Sequence, residues 1–251
     1  VPAEGTEISV RFKLPVAGAA YNFGAKFGAT VELAAELLAE VARMGYIPSL
    51  TFHPGTQCTD PMAWDAYVRA AADICRVSGV KARRLNVGGG FPSHRLTDVV
   101  PHLDAIFELI DRVSDEAFEG DRPALVCEPG RGLVAESMSL AAKIKAIRDD
   151  NHIFLNDGVY GGMTELPMIG IIDRAEVISP DGIRRQGPAR DRICFGPTCD
   201  SVDRLPGELC LPGDAQEGDY LVLHGMGAYS MATNTRFNGF GELTVATVLT
   251  L

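Results

Sequence analysis

Apolar residues in the first half of the chain recur with a helical period, broken at intervals by short apolar runs. Over residues 30–44, Val31, Leu33, Ala34, Leu37, Leu38 and Val41 repeat every three or four positions and predict a helix with one buried face. Asp60 caps a second helical stretch whose apolar side carries Trp64, Val68, Ala71, Ala72 and Cys75. A third covers residues 98–113, with Leu103, Ile106, Phe107 and Ile110 inward. Between them, residues 7–14, 47–53, 84–87 and 124–127 are short, apolar and strand-like. Strand and helix alternate, and residues able to do chemistry cluster just past the strand ends. That order predicts an α/β fold of the (β/α)8 barrel type, with strands inside and helices outside.

Beyond about residue 136 the texture becomes that of strands. Residues 137–147, 152–156, 175–179, 207–211, 219–224 and 243–250 read as strands, separated by Gly, Pro and Asp clusters. The predicted organisation is a partial β/α barrel over 1–136, then a β-rich domain of sandwich or Greek-key type over 137–251 whose last strand could return to the barrel. Only about four strand–helix units precede the boundary, against eight in a closed barrel. The chain therefore reads as the C-terminal portion of a longer protein.

Composition narrows the class. The 251 residues are 46% apolar, enough for one large or two moderate cores. With 23 basic and 33 acidic residues the net charge is −10, which argues against nucleic acid as a partner and weakly favours a cationic ligand. Cys58, Cys75, Cys127, Cys194, Cys199 and Cys210 form no CxxC pair, so neither a zinc site nor a disulfide framework is indicated, and reduced thiols are expected. No apolar run is long enough for a membrane span and no signal-peptide pattern opens the chain. The expectation is a soluble, cytoplasmic protein.

Three motifs carry the candidate chemistry. Gly88-Gly89-Gly90-Phe91-Pro92 and Glu128-Pro129-Gly130-Arg131 each follow an apolar strand, and Gly196-Pro197-Thr198-Cys199-Asp200 lies in the second domain. Glycines past a strand let backbone N–H groups approach a phosphate, and an adjacent guanidinium grips it with two donors. A nearby carboxylate supplies what a pyridine nitrogen needs. In this order and spacing the motifs resemble the pyridoxal-phosphate-dependent decarboxylases of the ornithine and diaminopimelate group, which share the alanine-racemase-like barrel. The resemblance extends over nearly the whole chain.

The resemblance implies roles. Glu128 would keep the coenzyme's ring nitrogen protonated and His53 would stack on the ring. Thr56, Gly88, Gly89, Gly90, Gly130, Arg131 and Tyr229 would surround its phosphate. Cys199 would return a proton to Cα after carbon dioxide leaves, and Asp200 would bind the distal ammonium of a basic amino acid, with Tyr160 and Phe237 lining the pocket. Phe240 matches a pocket or interface position, and Arg11 has no assigned role. Where ornithine decarboxylases place a Tyr-Asp pair, this chain has Pro167-Met168-Ile169-Gly170, leaving Glu165 as a nearby carboxylate. None of Lys13, Lys26, Lys81, Lys143 and Lys145 stands where the family keeps its Schiff-base lysine, which implies that this lysine lies in an N-terminal half outside the chain. Ornithine is favoured as substrate because Asp200 stands where diaminopimelate enzymes carry glutamate. Lysine or diaminopimelate, or a non-catalytic regulatory relative, are the alternatives. A homodimer is implied, with Cys199 and Asp200 completing the neighbour's site; no metal is.

Overall fold

The computed structural model describes residues 2–21, 23–170 and 172–248. They form two compact units, Val1–Pro92 with Pro101–Leu133 and Ser93–Val100 with Val134–Leu251. The segment 93–100 thus groups with the second unit although it leaves a strand of the first.

In the first unit, strands β1 (Glu7–Arg11), β2 (Ile47–Thr51), β3 (Arg84–Asn86) and β4 (Ala124–Val126) make a parallel sheet in chain order. Val10, Leu50, Leu85 and Leu125 share one register row across all four strands. Helices α1 (Val31–Arg43), α2 (Met62–Ser78) and α3 (Leu103–Ala117) are the crossovers. Thr30 caps α1 by accepting the Leu33 N–H, and Asp60 accepts from Met62 at 2.9 Å at the entrance to α2. Leu38, Trp64, Val68, Leu50 and Leu85 are fully buried in one core, each contributing about 1.5–3 kcal/mol by leaving water. The third helix begins at Leu103 rather than at Asp98. A turn closed by Val99 N–H to the Leu96 carbonyl occupies the expected first residues, and Pro101 disfavours helical backbone at Val100. Past β4, a short helix α4 (Gly130–Val134) follows the acidic motif directly.

The second unit is one six-stranded sheet. Its strands are β5 (Leu140–Arg148), β6 (His152–Leu155), β7 (Ala175–Ile178), β8 (Ala189–Phe195), β9 (Leu209–Pro212) and β10 (Tyr220–Leu223), in the order β7-β10-β5-β6-β8-β9. Only β6 and β8 pair parallel, and the edge strands β7 and β9 approach each other, so the sheet curls towards closure. Ala142, Ile144, Ile153, Leu155, Val177, Leu211 and Leu221 fill its core. A short helix α5 (Leu166–Ile169) joins β6 to β7.

Two expectations need correction here. Residues 243–248 form no strand and Val245 and Val248 are exposed, while 249–251 lie outside the described residues. Conversely, β8 was not anticipated, because Arg190, Asp191 and Arg192 mask its apolar alternation. Arg192 is nonetheless buried, its guanidinium donating to the carbonyls of Asp150 and Gly213. All six cysteines are free. Among the described residues no helix is long and apolar enough to cross a membrane.

Candidate functional site

In the first unit the loops after β2, β3 and β4 converge so closely that the β3 loop cannot carry side chains. A Cβ on Gly88 would lie 2.1 Å from the Phe52 carbonyl oxygen, on Gly89 2.6 Å from that of Glu128, and on Gly90 1.9 Å from that of Gly55. Gly88 and Gly90 also have φ of 71° and 82°, which favours glycine. Hydrogen bonds fix the approach: Glu128 N–H donates to the Gly88 carbonyl and Cys58 N–H to that of Gly90, both at 2.8 Å.

The amides available to an anion differ from those the motifs offered. Gly88 N–H donates to Asn86 Oδ1 at 2.9 Å and Gly130 N–H to the Glu128 carbonyl at 2.8 Å, so both are engaged internally. Gly89 and Gly90 donate to no described group of the protein. They are the donors a phosphate would find. Arg131 is buried in the first turn of α4. Thr56 is also buried, and its backbone forms an antiparallel bridge with Tyr21.

Asn86, which no motif singled out, organises the centre. From the last position of β3 its amide donates to Glu128 Oε1 at 2.9 Å while its carbonyl oxygen holds Gly88. Glu128 is exposed, so one carboxylate oxygen is oriented and the group remains open to a ligand. Only position on a strand end could have flagged Asn86.

His53 sits beside this loop, its Nε2 3.1 Å from where a Gly89 Cβ would be. Its Nδ1 accepts the Gly55 N–H at 3.0 Å, which places the proton of the neutral ring on Nε2. Burial lowers the ring's pKa to about 4, and the Arg11 charge adds to this while Glu128 opposes it. Arg11, at the end of β1, thereby acquires a role in keeping His53 neutral. Phe23 meets the imidazole edge-on at 4.8 Å. An oriented carboxylate, two unspent amides and a neutral flat ring fit pyridoxal phosphate: Glu128 would hold the ring nitrogen, Gly89, Gly90 and Arg131 the phosphate.

The second unit gathers the other candidates. Tyr160 donates its hydroxyl to Asp200 Oδ2 at 2.6 Å and its ring lies 4.6 Å from that of Phe237. The Tyr160 hydrogen bond, then the Val202 N–H, lower the Asp200 pKa, while the hydrogen bond to Asp200 raises that of Tyr160. Asp200 is therefore an anion at neutral pH. Cys199 is exposed, with Asn238 Nδ2 3.2 Å from its sulfur. A cavity of about 560 Å³ opens beside them, lined by Phe154, Phe195, Phe240 and Lys145.

Asp203, also unanticipated, builds this arrangement. Buried, it accepts N–H groups from Val159 at 2.9 Å and Thr198 at 3.0 Å, tying the Asn156–Tyr160 loop to the one bearing Cys199. Gly158 and Gly196 are glycines because a Cβ on either would meet its carboxylate at 2.2 or 2.1 Å. Burial raises the pKa of nearby Asp157, which accepts from Gly162. Glu165 precedes α5, half-buried. Tyr229 has φ of 66°, an unusual and strained value for a bulky residue, and its ring is half exposed.

A family profile described as the pyridoxal binding domain of pyridoxal-dependent decarboxylases matches residues 2–135. Mouse ornithine decarboxylase is 30% identical over 242 residues, covering 86% of this chain and 50% of its own length. Antizyme inhibitor 2 of Xenopus laevis is 29% identical over 242 residues, covering 86% and 51%. The crystal structure of the Paramecium bursaria Chlorella virus arginine decarboxylase superimposes with a TM-score of 0.79 at 25% identity, over 94% of this chain and 64% of that one. The chain spans about half the length of the curated relatives it matches.

Proposed function

We propose that this chain, which belongs to the pyridoxal-dependent decarboxylase family, is part of an enzyme that decarboxylates a basic L-amino acid, with ornithine as substrate, putrescine as product and the Schiff-base lysine supplied from outside these 251 residues. The observation that carries this reading is the close approach of the Gly89-Gly90 loop to His53 and to the backbone of Glu128, whose carboxylate Asn86 orients. Bound pyridoxal phosphate supplies the electron sink that a carbanion at Cα requires. Glu128 keeps a proton on the pyridine nitrogen, without which that sink weakens. Gly89, Gly90 and Arg131 would grip the phosphate, and His53 would cover the ring without adding charge; the family resemblance gives Tyr229 a further phosphate contact.

The substrate end belongs to the second unit. Asp200, anionic and oriented by Tyr160, pairs with the distal ammonium. The thiol of Cys199 returns a proton to Cα once carbon dioxide has left, and Phe237 closes the pocket. Relatives named ornithine and arginine decarboxylase support a basic substrate. In this reading a homodimer completes each site with the neighbour's Cys199 and Asp200, and the reaction serves polyamine synthesis in the cytoplasm.

The test is carbon dioxide release from L-ornithine, L-lysine, L-arginine and diaminopimelate by the coenzyme-loaded enzyme that contains this chain together with its Schiff-base lysine. Ornithine should turn over fastest, and Cys199→Ala should lose about a hundredfold or more in kcat while retaining coenzyme. Full activity of Cys199→Ala refutes the thiol's role. Coenzyme binding without turnover of any of the four would favour a regulatory protein, the kind named by the antizyme inhibitor relative.

A further inference from the structure

Cys199 and Tyr160 are held by one loop. Asn238 lies 39 residues beyond Cys199, in a 3-10 turn at Phe237–Gly239, and donates Nδ2–H to Sγ at 3.2 Å. Its backbone is left-handed, φ 54° and ψ 21°, a conformation that asparagine tolerates better than most residues. The loop is stapled on itself: Asn234 Nδ2 donates to the Gly241 carbonyl at 2.6 Å and Gly239 N–H to that of Arg236 at 3.0 Å. Gly241 is required, since a Cβ there would meet the Thr235 carbonyl oxygen at 2.1 Å. Thr235 anchors the loop to Tyr160, donating N–H and hydroxyl to its carbonyl at 3.0 and 2.6 Å. The neighbouring Phe237 ring packs on Tyr160, which in turn orients Asp200.

We infer that Asn238 is a positioning residue for the Cys199 thiol. An exposed cysteine is otherwise free to sample three χ1 wells. A sulfur accepting an N–H from one side is confined to one of them, and its own S–H points away from Asn238. The amide also steadies the negative charge that stays on sulfur as the proton departs. The proposal rests on the assignment of Cys199 as the proton donor, and its test has one arm that does not.

That arm is alkylation of the 251-residue protein by iodoacetamide at neutral pH, followed peptide by peptide. Asn238→Asp keeps the side-chain shape and tolerates the left-handed backbone, but sets a carboxylate against the sulfur. Cys199 should then react about tenfold more slowly, because the thiolate is the nucleophile, while exposed Cys127 and Cys210 react as before. The second arm is kinetic, in the coenzyme-loaded enzyme. Asn238→Asp and Asn238→Gly should each lower kcat about tenfold with KM for the amino acid unchanged, and neither should lower it further in a Cys199→Ala background. Unchanged alkylation of Cys199 in Asn238→Asp overturns the proposal, as do kcat losses that multiply with that of Cys199→Ala. Full turnover by Cys199→Ala with slowed alkylation in Asn238→Asp would instead sink the donor assignment and leave the contact standing.

Discussion

Burial first, and then the Arg11 charge, keep the His53 imidazole neutral near pH 7. Its pKa of about 4 lies well below the ordinary 6.5, chiefly through burial and then through Arg11. Between those values the unfolded chain takes up a proton that the folded one refuses, so stability rises with pH through the window. The contribution is complete above pH 6.5 and is lost as pH falls towards 4. Denaturant unfolding of wild type and His53→Gln across pH 4–7 should show part of the acid-side loss missing in the variant. Ring-proton NMR that finds His53 titrating near 6.5 would refute it. The chain order places His53 past a strand end; its charge state depends on Arg11, Phe23 and Gly55, which only the folded backbone assembles.

At the scale of elements, the glycine motifs were readable as motifs but their members are unequal. Gly90 has φ of 82° and a Cβ there would strike the Gly55 carbonyl oxygen at 1.9 Å; Gly89 has ordinary φ, yet its Cβ would reach the Glu128 carbonyl oxygen at 2.6 Å. Nothing lies within 4 Å of a Cβ on Gly130, and its φ is not positive. Alanine at 89 or 90 should therefore cost about 1–3 kcal/mol and disrupt coenzyme binding, whereas Gly130→Ala should be close to neutral in both. Thermal unfolding and coenzyme absorbance read the contrast directly; equal effects at the three positions would mean that the loops do not converge as described. Sequence spacing could not rank them, because the clashing atoms come from loops about 35 residues earlier and 40 later. The strand β8 was hidden for a related reason: the charges of Arg190, Asp191 and Arg192 look like a solvated loop until Asp150 and Gly213 are found receiving a buried guanidinium.

For the whole molecule, periodicity carried the alternation of β1 to β4 with α1 to α3 and the change to strands after Leu133, since both follow from burying one face of each element. What it could not carry were the polar organisers Asn86 and Asp203, whose partners are set by tertiary approach alone. Asn86 offers the sharpest test of how the first unit meets its coenzyme. A ligand bound only by the folded state adds RT ln(1 + [L]/Kd), about 2.7 kcal/mol at a hundredfold excess over Kd. Asn86→Ala releases Glu128 and strands the Gly88 N–H, which should weaken the affinity about tenfold, the worth of a hydrogen bond to a charged group. At the same pyridoxal phosphate concentration the variant should then gain only about 1.4 kcal/mol. Denaturant titrations with and without coenzyme give both increments. A wild-type chain that gains nothing would remove the coenzyme from this unit; equal gains in the two proteins would leave the coenzyme in place and take away Asn86's hold on Glu128.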